Sequence, residues 1–290
     1  MNTQSENEST ATDPLPKQFG HIEFGLGNGL GIFIVYNILG VAIAIALMTT
    51  NQKNYFWLAQ GIGQVLFMLL PALFFMKYSP LERRGLLRLE GHTTLGQWVA
   101  GLLGIIAIQF FVGGFSLLQE QLIPESLMSI YAEMKKHTES VYTMLLGGGG
   151  MMNIIKGLAI GGIIPAFSEE ILFRGFIQRS LEQVWSPTKA IVVTGIIFGI
   201  VHFNPTDCIS LMVIGIYLSI LAYSTQSLAL PITAHFLNNA IAIVALNIGE
   251  HNSSELPNET PLWVAGLVCT SGLAAMILAA RFVIRRRMEN

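Results

Sequence analysis

The sequence predicts an all-α polytopic membrane protein of about eight transmembrane helices, and three observations carry that prediction. Of its 290 residues, 52% are hydrophobic and only 12% are charged, with a mean hydropathy of +0.57. A soluble domain carries about 25% charged residues, so half that share excludes an ordinary water-soluble globule. Apolar runs near 20 residues recur along the chain, each long enough to cross a hydrocarbon core of about 30 Å. In lipid every backbone polar group must find its partner inside the segment, so these runs are helices.

The first 28 residues form a polar tail, mildly acidic up to Pro16 and then glycine-rich. They lack the basic start and compact apolar core of a cleaved secretory signal, so the run from Leu30 is expected to stay as a spanning helix. The apolar windows place helices at about 29–49, 56–77, 97–119, 153–179, 188–204, 209–226, 229–248 and 262–284, one transmembrane bundle over 29–290. The connection at 120–152 reads as an extracytoplasmic loop with an amphipathic piece near Leu127–Met134. It ends in four glycines, Gly147 to Gly150, which form a hinge or a plain linker.

Charge sets the expected orientation. Lys77, Arg83, Arg84 and Arg88 follow the second helix, Arg179 and Lys189 follow the fourth, and Arg281 and Arg285 to Arg287 end the chain. The positive-inside rule puts all three groups in the cytoplasm, hence both termini too; the membrane is expected to be a bacterial inner membrane. The net charge of −2 gives no nucleic-acid footprint. Cys208 and Cys269 form neither a CxxC pair nor a disulfide framework.

Ionisable groups inside apolar helices are costly and mark function by default. Helices 1–3 (29–119) hold almost none and read as scaffold, whereas 153–248 holds the catalytic candidates. In the fourth helix Pro165 is expected to free the carbonyl one turn earlier, and Ser168 to cap a restarted helix. Glu170 and Arg174 lie four apart and can pair. Glu169 is turned about 100° away, left for another partner and suited to taking a proton from water. The bland alternative is an ion-paired cluster that only locks helices together.

In the fifth helix Phe198 and His202 share a face, and in the seventh His235 lies one turn before Asn239, with Asn238 adjacent. Each histidine taken singly fits a hydrogen-bonded packing residue. However, His21, His92, His137 and His251 all fall outside the apolar runs. A His/Asn pair offers two donors to a developing oxyanion. The expected depth of His202, near the outer end of its helix, requires either a short, tilted helix or one that runs past Asn204.

These three motifs, EExxxR at Glu169–Arg174, FxxxH at Phe198–His202 and HxxxN at His235–Asn239, resemble those of the CAAX-protease and bacteriocin-processing (Abi) family of membrane peptidases. The resemblance covers about 170–240. It implies an eight-helix bundle enclosing a water-accessible cavity within helices 4–7, and hydrolysis of a peptide bond in a membrane-associated substrate, lipidated in one branch of the family. It also implies that Glu169 and His202 activate water and that His235 and Asn239 hold the oxyanion, with Glu170, Arg174 and Phe198 in support. No cofactor is expected. If a metal is present, zinc on Glu169, His202 and His235 is the chemically sensible set. The expected partners are lipid and a peptide or protein substrate, with no nucleic acid. A proton-coupled transporter and a catalytically idle immunity or scaffold protein are the alternatives.

Overall fold

The computed structural model describes residues 23–79, 81, 83–89, 91–249 and 260–289. Every regular element among them is helical: α1 (Phe24–Thr49), α2 (Phe56–Lys77), α3 (Leu95–Leu122), α4 (Glu125–Leu146), α5 (Gly150–Leu181), α6 (Pro187–Val201), α7 (Cys208–Thr225), α8 (Ala229–Gly249) and α9 (Leu262–Glu289), with single turns at Lys53–Tyr55 and Arg83–Leu86. Seven are long and apolar enough to cross a membrane; α6 is apolar but has only 15 residues.

Two expectations change here. The eighth crossing is incomplete, because α6 rises only about 22 Å against a core of about 30 Å. It is started by Ser186, whose hydroxyl accepts from the Lys189 amide, and by Pro187 at its first position. It stops at Val201 because the chain turns through Asn204, whose side-chain oxygen accepts from the Thr206 hydroxyl and the Asp207 amide. The second change is α4. The region read as a loop is mostly a 22-residue helix, with no buried residue. The four glycines after it are a fixed corner: Gly148, Gly149 and Gly150 take positive φ, and Asn247 accepts from the Gly149 amide while donating to the carbonyls of Leu146 and Ile243. The predicted connection at 249–261 lies almost wholly outside the described residues, as does the tail up to residue 22.

The core has two halves. One packs Phe33 of α1, Met68 and Met76 of α2, Phe173 and Phe176 of α5, and Phe198 of α6. The other packs Ile105 and Ile108 of α3, Tyr217 and Leu218 of α7, Ala234 of α8 and Val283 of α9. The seam between them runs along α5 and α6 on one side and α7 and α8 on the other.

Backbone-to-backbone packing closes that seam. A Cβ on Gly195 would lie 2.4 Å from Ile216 Cγ1 and 2.5 Å from its amide nitrogen, and one on Gly199 would lie 2.8 Å from the Cys208 carbonyl oxygen. The Gly195-xxx-Gly199 spacing lets α6 and α7 touch as small-residue stripes do in membranes, and so sets where Phe198 and His202 point. Gly195→Val should therefore cost about 3 kcal/mol by overpacking. Thermal unfolding in detergent checks this, with Gly31→Ala, where nothing lies within 4 Å, as the unaffected control.

The arginines other than Arg174 gather at one end of the bundle, with Lys77, whereas Lys135, Lys136 and Lys156 lie towards the other. Lys77 ends α2, Arg179 lies at the end of α5, and Arg286 and Arg287 occupy the last turn of α9. Arg88, buried below the end of α5, pairs with Glu182 at 2.7 Å. Burial pushes its guanidinium below the usual arginine range, with Glu182 opposing the shift. Arg287 stacks on Tyr223 at 3.8 Å and ties the end of α9 to α7.

Candidate active site

The backbone of α5 is widened on both sides of its acids. Six residues, Leu158–Ile163, and seven, Ile171–Ile177, run as π-helix around an α-helical Ile164–Glu170. Such widenings cluster at functional positions. Pro165 has no N–H for the carbonyl of Gly161, and that oxygen instead accepts from Asn239 Nδ2 of α8 at 2.9 Å. The freed carbonyl expected from sequence is thus the anchor between α5 and α8. The expected restart at Ser168 does not occur: the backbone stays helical through it and its side chain is fully buried.

Arg174 and Glu170, both fully buried, pair at 2.6 Å. Nη2 of Arg174 donates to the Gly215 carbonyl of α7 at 2.9 Å, and the Arg174 Cζ lies 4.4 Å from the Phe198 ring centroid. Arg174 therefore joins α5, α6 and α7 at one point. Glu170 Oε1 also faces His235 Nδ1 of α8 at 2.8 Å.

Glu169 turns the other way, as periodicity predicts. Its Oε1 accepts from Gln64 Nε2 of α2 at 3.0 Å. Its Oε2 lies 3.7 Å from His202 Nε2 and 3.9 Å from His235 Nε2. The depth problem disappears because α6 is short. Glu169 stands 12 residues before Leu181, about 18 Å from the basic end, and His202 caps α6 about 22 Å from it.

The outer nitrogens fix the tautomers. A carbonyl can only accept, so His202 Nδ1, held by the Phe198 carbonyl, carries its proton. A carboxylate likewise assigns the His235 Nδ1 proton to the Glu170 contact. In the neutral rings both Nε2 lone pairs then point towards Glu169. Phe198 packs against both rings, at 4.6 Å from His202 and 5.9 Å from His235 between centroids.

Of the residues expected at the site, Glu169, His202 and His235 converge, and Glu170, Arg174 and Phe198 form the layer behind them. Asn239 is oriented otherwise: it donates to Gly161 and its oxygen accepts from Asn238, which in turn accepts from Gln109 of α3. Among the described residues no group of three or more His, Cys, Asp or Glu side chains is arranged to hold a metal ion.

The reading of the first three helices as mere scaffold misses Gln64, 2% exposed, and Gln60, which donates to the Tyr36 hydroxyl at 2.6 Å. The available signal is GlnxxxGln, two amides one turn apart on an otherwise apolar α2.

Residues 152–241 match the family model described as type II CAAX prenyl endopeptidase Rce1-like. This segment, about a third of the chain, is similar to that family. It spans the start of α5 to the middle of α8, and so contains every acid, arginine and histidine of the cluster. The chain is an integral membrane protein with a segment similar to CAAX proteases, a similarity that supports an intramembrane protease activity in general terms. No curated protein and no solved structure shows significant similarity to the chain.

Proposed function

We propose that the chain hydrolyses a peptide bond of a membrane-associated substrate by direct attack of a water held between Glu169, His202 and His235. The observation that carries this reading is the placement of one carboxylate oxygen, Glu169 Oε2, 3.7 Å and 3.9 Å from two imidazole nitrogens. These gaps are too long for direct hydrogen bonds and suit a bridging water that donates to Glu169 Oε2 and to one imidazole nitrogen. Glu169 takes the proton as that water attacks the scissile carbonyl. The proton is then available to the leaving amine, as general acid–base catalysis requires.

His235 carries at Nε2 a proton taken from solvent before the attack, which makes it a charged donor for the developing oxyanion with Glu170 stabilising the imidazolium behind it; the proton of the attacking water goes to Glu169 alone. Asn239, whose amide donates to the Gly161 carbonyl, ties α8 to α5 and so helps to hold His235 in place. Glu170, Arg174 and Phe198 hold His235 and His202 in place. This chemistry is metal-independent and of glutamate type. Neither a prenyl group nor any other lipid on the substrate is required by it.

Glu169, His202 and His235 are donor types that zinc takes, although they are not arranged around a common metal position, and a metal-assisted hydrolysis is the second reading. The test is cleavage of an apolar membrane peptide by purified protein in detergent, with and without 1,10-phenanthroline. An unchanged rate is expected; a loss that added zinc restores assigns the site to a metal. His202→Ala should abolish cleavage in the same assay, and full activity in that variant would reject the assignment.

Gln64 acts in this scheme as a positioning residue, since holding Oε1 leaves Oε2 as the reactive oxygen. A buried hydrogen bond to a charged group contributes about 1.5–3 kcal/mol, so Gln64→Leu should lower kcat by roughly 10- to 100-fold with KM nearly unchanged. An equal rise in KM with kcat intact would instead make Gln64 a substrate contact.

A further inference from the structure

α6 ends about 8 Å short of a full crossing, and a cleft of about 530 Å³ lies beyond His202. That volume falls within the range of ligand clefts, about 300–1,000 Å³. Its walls are the second half of α1 from Tyr36 to Met48, the first half of α2 from Phe56 to Phe67, and the end of α4 from His137 to Leu145. Tyr36, Gln60 and His202 lie at its inner end, half-buried, while Met48, His137 and Met144 are exposed at its rim. No aspartate, glutamate, lysine or arginine lines it.

The cleft occupies the half of the bundle remote from the basic end. Gly25, at the start of α1, packs against Ser180 at the end of α5, beside Arg179 and the Arg88–Glu182 pair. α1 therefore runs away from the arginines, and the α1–α2 turn, the rim and α4 lie at the opposite end. By the positive-inside rule the arginine end is cytoplasmic.

Resting on the peptidase reading above, we propose that the substrate reaches Glu169 from the extracytoplasmic side, through the cleft between α1, α2 and α4, and that the segment entering is an uncharged, largely apolar stretch of polypeptide. A charged segment would meet no counter-charge on these walls, and burying it unpaired is costly. A segment still in the cytoplasm has no route by this cleft.

The test uses full-length protein with Cys208→Ser, Cys269→Ala and Ala44→Cys, in right-side-out and inside-out vesicles containing a quenched-fluorescent single-span apolar peptide. A bulky, membrane-impermeant thiosulfonate is added to each. We expect Ala44→Cys to be labelled in right-side-out vesicles. Cleavage should then fall at least ten-fold relative to the same sample before labelling, and return on reduction. Gln183→Cys, exposed at the arginine end, should label only in inside-out vesicles and leave cleavage unchanged. Labelling of Ala44→Cys from the arginine side alone, or from neither side, overturns the proposal whether or not the peptide is cut. Labelling without loss of cleavage overturns it as well. Failure of the peptidase reading looks different: the peptide is then cut equally by the Glu169→Gln protein, labelled or not.

Discussion

Glu169→Gln is expected to lower kcat by about 10³-fold or more, at the upper range of what one general base contributes, while leaving the thermal unfolding midpoint within about 2 °C of wild type. The substitution is nearly isosteric. The replacement amide keeps an oxygen for the Gln64 donor, so the link between α2 and α5 survives. What disappears is the basic oxygen facing His202 and His235. Cleavage of a membrane peptide followed by mass spectrometry, with unfolding measured on the same preparation, separates the two effects. Loss of both activity and fold would make Glu169 a structural group, and retained activity would remove it from the reaction.

The second large effect falls on stability. Arg174→Met should destabilise the protein by about 3–5 kcal/mol, because it leaves the fully buried Glu170 without its charge partner and the Gly215 carbonyl without its donor. At roughly 2–4 °C per kcal/mol for chains of this size, the midpoint should drop by about 10 °C. The loss is not simply the worth of an ion pair. Removing Glu170 as well, in Glu170→Gln with Arg174→Met, should recover part of it, since an unpaired buried charge costs more than an absent pair. A midpoint unchanged in Arg174→Met would show that His235 alone neutralises Glu170. A double variant no better than the single would place the cost in the lost α5–α7 link.

Much of this site was legible in the sequence, for reasons that lie in helix geometry. Glu170 and Arg174 had to share a face and Glu169 had to leave it; Pro165 had to release a carbonyl. These are local consequences of 3.6-residue periodicity and of one missing N–H. The spans were legible too, because a hydrocarbon core dictates their length and composition.

What escaped depends on tertiary placement. Gln64 meets Glu169 across 105 residues of sequence, and no spacing rule relates them. The sequence marks the end of α6 to within three residues through the polar run Asn204 to Asp207; that the helix stops already at Val201 follows from the side-chain bonds of Asn204 in the turn. α4 buries nothing, and it is too polar to register as an apolar run, so only its amphipathic piece near Leu127–Met134 showed in the sequence. Arg88 reads as one more surface cation of a positive loop; its burial against Glu182 follows from how that loop folds beneath α5.

The central claim is that Glu169, His202 and His235 act together on one water, and non-additivity tests it most directly. The measurement is kcat/KM for membrane-peptide cleavage by Glu169→Gln, His202→Ala and the double variant, each with its unfolding midpoint. Residues that act as a unit lose nearly everything with the first substitution. The double variant should therefore be no slower than the slower single variant, within about three-fold. Losses that multiply, or a single variant with wild-type activity, would contradict it.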